Sequence, residues 1–210
     1  MDSHDLIKQL AQDARPVKPA PHPLRLACRW TLLGTAYVLF FVCLFGARPD
    51  VVDRLADPLF TGEMLLLAIT LIACIWSSVL LAYPDAYQIQ RPLAWPVISF
   101  ALLVCMLYTQ WVYADPSIAT PMHGLSCTIH ITLLSLVPAV LLFYRINRMA
   151  STHYIKAGAV ALLSAFSMGG MVARLTEMTD SIGHIVQWHY LPMLAAAALG
   201  TLLGRLLLRW

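Results

Sequence analysis

Met64-Leu65-Leu66-Leu67-Ala68-Ile69-Thr70-Leu71-Ile72-Ala73-Cys74-Ile75-Trp76-Ser77-Ser78-Val79-Leu80-Leu81-Ala82-Tyr83 runs for 20 residues without a charged side chain. A helix of that length rises about 30 Å, the thickness of a bilayer's hydrocarbon core. Five further runs have the same character, at 29–46, 94–113, 123–144, 157–173 and 184–204. Between them stand short stretches rich in Pro and Asp, such as Ala47-Arg48-Pro49-Asp50, Pro84-Asp85 and Asp115-Pro116. These residues break helices and keep water. The pattern predicts an all-α integral membrane protein, a six-transmembrane-helix bundle in the lipid bilayer, occupying residues 28–210.

Composition supports that reading. Of 210 residues 60% are apolar and 12% charged, and the mean hydropathy is +0.71. A soluble domain carries about 45–50% apolar and roughly 25% charged residues. This chain cannot cover itself with a water-facing surface, and it is too apolar to be disordered. A net charge of +3 is too small to suggest direct nucleic-acid binding. No catalytic triad, phosphate loop or paired-carboxylate motif points to an enzyme, so no catalytic residue is assigned.

Lys and Arg set the expected orientation. With the N-terminus inside, Lys8, Arg15, Lys18, Arg25, Arg29, Arg91, Arg145, Arg148, Lys156, Arg205 and Arg209 are cytoplasmic. Only Arg48, Arg54 and Arg174 are then outside. The positive-inside rule accordingly predicts that both termini lie in the cytoplasm. The first 27 residues hold no apolar core of signal-peptide length, so the first span is expected to remain as an anchor.

Those 27 residues form the one sizeable polar piece. Ser3 is a candidate N-cap, and Asp5 lies in the first turn, where negative charge suits the helix dipole. Leu6, Ile7, Leu10, Ala11 and Ala14 share one face at helical spacing, opposite Lys8, Gln9, Gln12 and Asp13. Arg15-Pro16 ends this short amphipathic helix, and Pro16, Pro19, Pro21 and Pro23 stiffen the stretch that leads to the first span. The apolar face is short and aliphatic, which suits a partner's groove better than a membrane surface.

The order of motifs along this topology carries a resemblance. Asp5-Leu6-Ile7-x-x-Leu10-Ala11 with Arg15-Pro16-Val17 opens the chain, and Arg48-Pro49-Asp50 comes after the first span. Trp188-His189 stands early in the last span, and Gly200-x-x-x-Gly204-Arg205 leads to Trp210. Together they resemble the NrsF-type family of bacterial inner-membrane anti-sigma factors. The resemblance implies that residues 1–27 bind an extracytoplasmic-function sigma factor at the inner membrane. Asp5, Leu6, Ile7, Leu10, Ala11, Arg15 and Pro16 would be the binding residues. It also implies release of that factor upon envelope, metal or oxidative stress.

A second polar feature lies on the expected outer side. His123, Cys127 and His130 are spaced by four and three, on one helical stripe. His184 and His189 begin the sixth span, and Arg174, Glu177 and Asp180 occupy the loop before it. Met122, Met168, Met171 and Met178 add thioethers to the same region. Cys and His together suit a soft or borderline metal ion as a signal; alternatively, His130 and His189 hydrogen-bond across helices and fix the packing. The resemblance leads one to expect a second outer-side cysteine just before Trp188-His189, but that stretch reads Thr176-Glu177-Met178. Cys43 is the available substitute.

Two other functions fit parts of the pattern. A b-type haem between His130 and His189 would make an oxidoreductase subunit. A small transporter lacks support, because no acidic residue lies mid-span and no inverted repeat is apparent. Gly200-x-x-x-Gly204 serves either packing within the bundle or a homodimer. Pro138 is expected to kink the fourth span.

Overall fold

A computed structural model describes residues 2–13, 21–84, 92–113, 124–149 and 151–209. It is all-helical among the described residues. The short α1 (Ser3–Asp13) precedes α2 (Pro23–Phe45), a brief helix α3 (Val51–Ala56), and α4 (Pro58–Ala82). Then come α5 (Ala94–Tyr113), α6 (Gly124–Asn147) and α7 (Tyr154–Thr176). The last helix, Ile182–Leu207, is built of α8 (Ile182–His184), a π-helical segment (Ile185–Tyr190) and α9 (Leu191–Leu207). Six of these helices, of 20 to 26 residues, are long and apolar enough to cross a membrane.

α7 is the hub, packing on α9, α4, α6 and α2. Its sequence explains why: Ala157, Gly158, Ala161, Ser164, Ala165, Ser167, Gly169, Gly170 and Ala173 are all buried. Helices in lipid gain little from apolar burial, so they associate where small residues allow close approach. A Cβ on Gly158 would sit 2.2 Å from the Gly200 carbonyl oxygen and 2.7 Å from Gly204 Cα. Gly200-x-x-x-Gly204 is therefore used inside the bundle, against α7. Large apolar side chains point the other way along the outer helices, among them Leu32, Leu33, Trp95 and Leu133.

Pro138 lies within α6, where it has no N–H to offer the Leu134 carbonyl four residues back. The Tyr37 hydroxyl of α2 donates to that carbonyl at 2.6 Å. A proline thus frees an acceptor, and a neighbouring helix supplies the donor.

Several helix ends lie beyond the apolar runs. α2 starts at Pro23 rather than 29, so the division at residue 27 falls inside it, and α4 starts at Pro58 rather than 64. α7 runs to Thr176, taking Arg174 into the helix, and the last helix reaches Leu207. The reason is local. Asp57 accepts the Leu59 N–H at 3.0 Å and caps α4 with Pro58 in its first turn, and Glu63 and Arg174 pair with each other. Polar residues with partners continue a helix that hydropathy alone would end. At α1, the Asp2 carbonyl accepts the Asp5 and Leu6 N–H groups at 3.1 Å each, so Asp2 rather than Ser3 holds the N-cap position.

Candidate functional site

Among the described residues, the buried ionisable side chains Arg48, Glu63, Arg174, His184 and His189 converge at one end of the bundle, where α2 leads into α3 and α7 leads into α8. Two arrangements lie there side by side.

The first is a clamp of arginines and carboxylates. Arg48, although it stands just past a helix end, is only 1% exposed. Its guanidinium donates from Nε and Nη2 to Asp50 at 2.7 and 2.9 Å, and from Nη1 and Nη2 to Asp180 at 3.0 and 2.7 Å. Two bidentate forks thus occupy one guanidinium, the geometry in which Arg binds carboxylates best. Its backbone N–H donates to the Leu175 carbonyl at 2.9 Å, tying the first loop to the end of α7. Arg54 also pairs with Asp180.

Below this, Arg174 is 3% exposed and Glu63 2%. Arg174 donates from Nε and Nη2 to both Glu63 oxygens at 2.7 and 2.9 Å, and from Nη1 to the Thr179 carbonyl at 3.1 Å. The Tyr190 hydroxyl donates to Glu63 Oε1 at 2.7 Å. The Phe60 ring lies between the layers, 5.6 Å from the Arg48 and 5.2 Å from the Arg174 guanidinium carbon. Hydrogen bonds to Asp180 and Asp50 raise the Arg48 pKa above its ordinary value. The Arg48 hydrogen bond holds the Asp50 carboxyl below the ordinary carboxylate range. Partial burial pushes Asp180 up, but the hydrogen bond from Arg48 and the charges of Arg48, Arg174 and Arg54 outweigh it, and its pKa is lowered.

The second arrangement joins Cys127 of α6, Glu177 just after α7, His184 of α8 and His189 of the π segment. One ligand atom from each lies within 4.8 Å of the others. Glu177 Oε2 is 3.3 Å from His189 Nε2, close enough for charge attraction but without the alignment of a hydrogen bond. The two imidazole rings meet edge-on with centroids 5.3 Å apart. The histidines are 2% and 1% exposed. None of their four ring nitrogens has a hydrogen-bond partner among the described residues. Burial pushes the Glu177 pKa up, but the neighbouring His189, Cys127 and His184 bring it below its ordinary value.

Local sequence explains this convergence. His184 and His189 are five apart, a spacing that an ordinary helix turns to different faces, whereas a π turn (i→i+5) stacks it. Pro192 stands just after that turn and cannot donate to the Trp188 carbonyl four residues back. Thr128 Oγ1 donates to that carbonyl at 2.7 Å, as Tyr37 does beside Pro138. The Trp188 indole covers the start of α6 so closely that a Cβ on Gly124 would lie 2.1 Å from it. Gly124, Cys127 and Thr128 are thereby registered against the π segment.

The structure brings together only part of the predicted stripe. Cys127, His184 and His189 join, and Glu177 completes the group. His130 is exposed on α6, so the His123–Cys127–His130 stripe does not face one site, and His130 does not pair with the buried His189. Residues 114–123, with Met122 and His123, lie outside the described residues. Met168 packs under Gly34 instead, and Met178 is exposed. Cys43 is exposed with a free thiol and does not belong to the group. In α1, Asp5, Leu6, Ile7 and Ala11 are exposed. Leu10 belongs to the same helix, with its side chain outside those described, and Arg15 and Pro16 lie outside the described residues. Sequence reasoning does not place Glu63, Asp180 and Tyr190 in one network. Glu63, one residue before the apolar run, and Pro192, inside one, were the available signals.

Residues 10–210 match the protein family described as NrsF, negative regulator of sigma F. The chain belongs to the NrsF family. The match extends over the whole bundle and both polar arrangements. A relative from Caulobacter vibrioides (strain NA1000 / CB15N), the anti-sigma-F factor NrsF, is 31% identical over 219 residues, covering 100% of each chain. No solved structure matches the chain. The NrsF family is one of anti-sigma factors, and this places the protein among negative regulators of a sigma factor.

Proposed function

We propose that this protein is a membrane-bound anti-sigma factor whose α1 holds an extracytoplasmic-function sigma factor at the bacterial inner membrane. The observation that carries the reading is an apolar helix face left open to solvent. In α1, Leu6 is 44% and Ile7 63% exposed, on a helix of 11 residues that is too short to be stable alone in water. Such a helix gains its stability by laying that face into a partner's groove. Asp5 in its first turn favours the helix through the dipole. In this reading both termini are cytoplasmic and the clamp and the Cys–Glu–His–His group face outward. The bundle then anchors the helix and carries an outside stress signal to it.

The test is transcriptional. Leu6→Asp places a charge in the bound face and is expected to turn the sigma-dependent genes on without an inducing stress, at unchanged membrane levels of the protein. Unchanged repression by that variant overturns the proposed role of α1.

A further inference from the structure

Burying an imidazole with neither nitrogen bonded costs the desolvation of each unsatisfied group with nothing to offset it, and native interiors hold few such groups. Here two histidines do so side by side. Among the described residues, both nitrogens of His184 and of His189 lack a hydrogen-bond partner, and so does Glu177 Oε2. Packing by hydrogen bonds across helices does not account for them, because they make none. What they do share is place: one ring nitrogen of each lies within 4.8 Å of the other, of a Glu177 carboxylate oxygen and of the Cys127 sulfur.

The geometry points to a binding site for a borderline, thiophilic divalent cation of the Zn²⁺ class, held by Cys127, Glu177, His184 and His189. One thiolate, two imidazoles and one carboxylate form a four-donor set that suits Zn²⁺ and not the oxygen-seeking Mg²⁺ or Ca²⁺. Tetrahedral bonds of about 2.0–2.3 Å set donor atoms about 3.3–3.8 Å apart. Ligand atoms within 4.8 Å of one another therefore need to close by about 1 Å, which side-chain rotation supplies. On binding, the Cys127 thiol gives its proton to solvent and the sulfur becomes the ligand. The ligands come from α6, the α7–α8 connection and the π segment, so the cation cross-links three parts of the chain. The π turn acquires a purpose by the same argument, since it aligns two ligands five residues apart.

The site stands independently of the anti-sigma reading and is tested on the full-length protein in detergent or nanodiscs. After chelation, the protein is expected to bind one Zn²⁺ per chain. Co²⁺ in its place should give tetrahedral d–d bands and a thiolate-to-cobalt charge-transfer band. Cys127→Ser removes that band, and His189→Ala and Glu177→Gln each weaken binding by at least about tenfold, the scale of losing a supporting group. His130→Ala leaves both readouts unchanged. Circular dichroism shows that each variant is folded, and Glu177→Gln serves if His189→Ala is not. Folded wild-type protein that takes up no cation overturns the proposal, as does a Cys127→Ser variant that keeps the charge-transfer band.

Discussion

The clamp and the Cys–Glu–His–His group occupy the same end of one bundle, and each is buried at its centre, at Arg48, Glu63 and Arg174 in one and at His184 and His189 in the other, yet they use their polar atoms in opposite ways. Arg48 engages two carboxylates through both edges of its guanidinium, and Glu63 accepts from Arg174 and Tyr190 at once. Beside it, the four ring nitrogens of His184 and His189 make no hydrogen bond to the described residues, and the nearest carboxylate, Glu177 Oε2, stands 3.3 Å from His189 Nε2 without the alignment of one. Charges that are fully paired hold a structure together, and polar groups left unpaired at similar depth mark a place where something else binds. The contrast assigns the clamp to architecture and the group to ligand recognition.

The comparison breaks most readily at Arg174. Arg174→Leu leaves the Glu63 carboxylate buried without its cation, and removal of one partner from such a pair costs about 3–5 kcal/mol. A large fall in thermal stability in detergent is the expected outcome. Replacing both, Glu63→Leu with Arg174→Leu, should recover most of the loss, since a buried ion pair is close to neutral against apolar residues of similar volume. A single variant as stable as the wild type means that the clamp holds nothing together.

At His184 the same substitution is expected to act with the other sign. His184→Leu in metal-free protein removes a buried group that makes no hydrogen bond, so stability should stay level or rise by about 1–2 kcal/mol. Zinc then separates the two proteins. At a free concentration a hundredfold above Kd it should stabilise the wild type by about 2.7 kcal/mol, and the variant far less. Marked destabilisation of metal-free His184→Leu, with no response of the wild type to zinc, makes the group a packing element like its neighbour.

Much of this was legible in the residues, for physical reasons. Lipid allows only helices whose backbone is satisfied internally, so runs such as Met64–Tyr83 declare themselves, and a helical face such as Leu6-Ile7-x-x-Leu10 does so by its period. The site was half legible. Spacing of three and four sets His130 on a stripe with Cys127 but does not tell how far round α6 the site extends, and His130 is exposed, while the pairing of His184 with His189, five apart, needs the π turn. Pro192 signals that turn, but only once Thr128 is known to take up the Trp188 carbonyl. Glu63 lies 111 residues from Arg174 in the chain, and no local pattern joins them. Their partnership is a matter of tertiary packing around α7.

Acid separates the two arrangements by a smaller effect. Asp50 and Asp180 are held below their ordinary value of 3.8, Asp50 by the Arg48 hydrogen bond and Asp180 by the arginines against its partial burial. A carboxylate with a depressed folded pKa contributes stability that is present above its unfolded value and lost as pH falls through the folded one. The clamp should therefore hold unchanged from neutral pH down to about 4 and loosen only below it. Both carboxylates are partly open to solvent, so screening keeps the change small. Metal occupancy should fail earlier on the same descent, because protons compete with the cation for its imidazole and thiolate ligands. Zinc binding and thermal stability of the metal-free protein, tracked together from neutral pH into acid, are expected to give two separate transitions. Arg48→Gln should flatten the lower one and leave the upper one in place. A single transition shared by both readouts, moved as a whole by Arg48→Gln, means that the charges of the clamp and the ligands of the neighbouring group form one titrating unit.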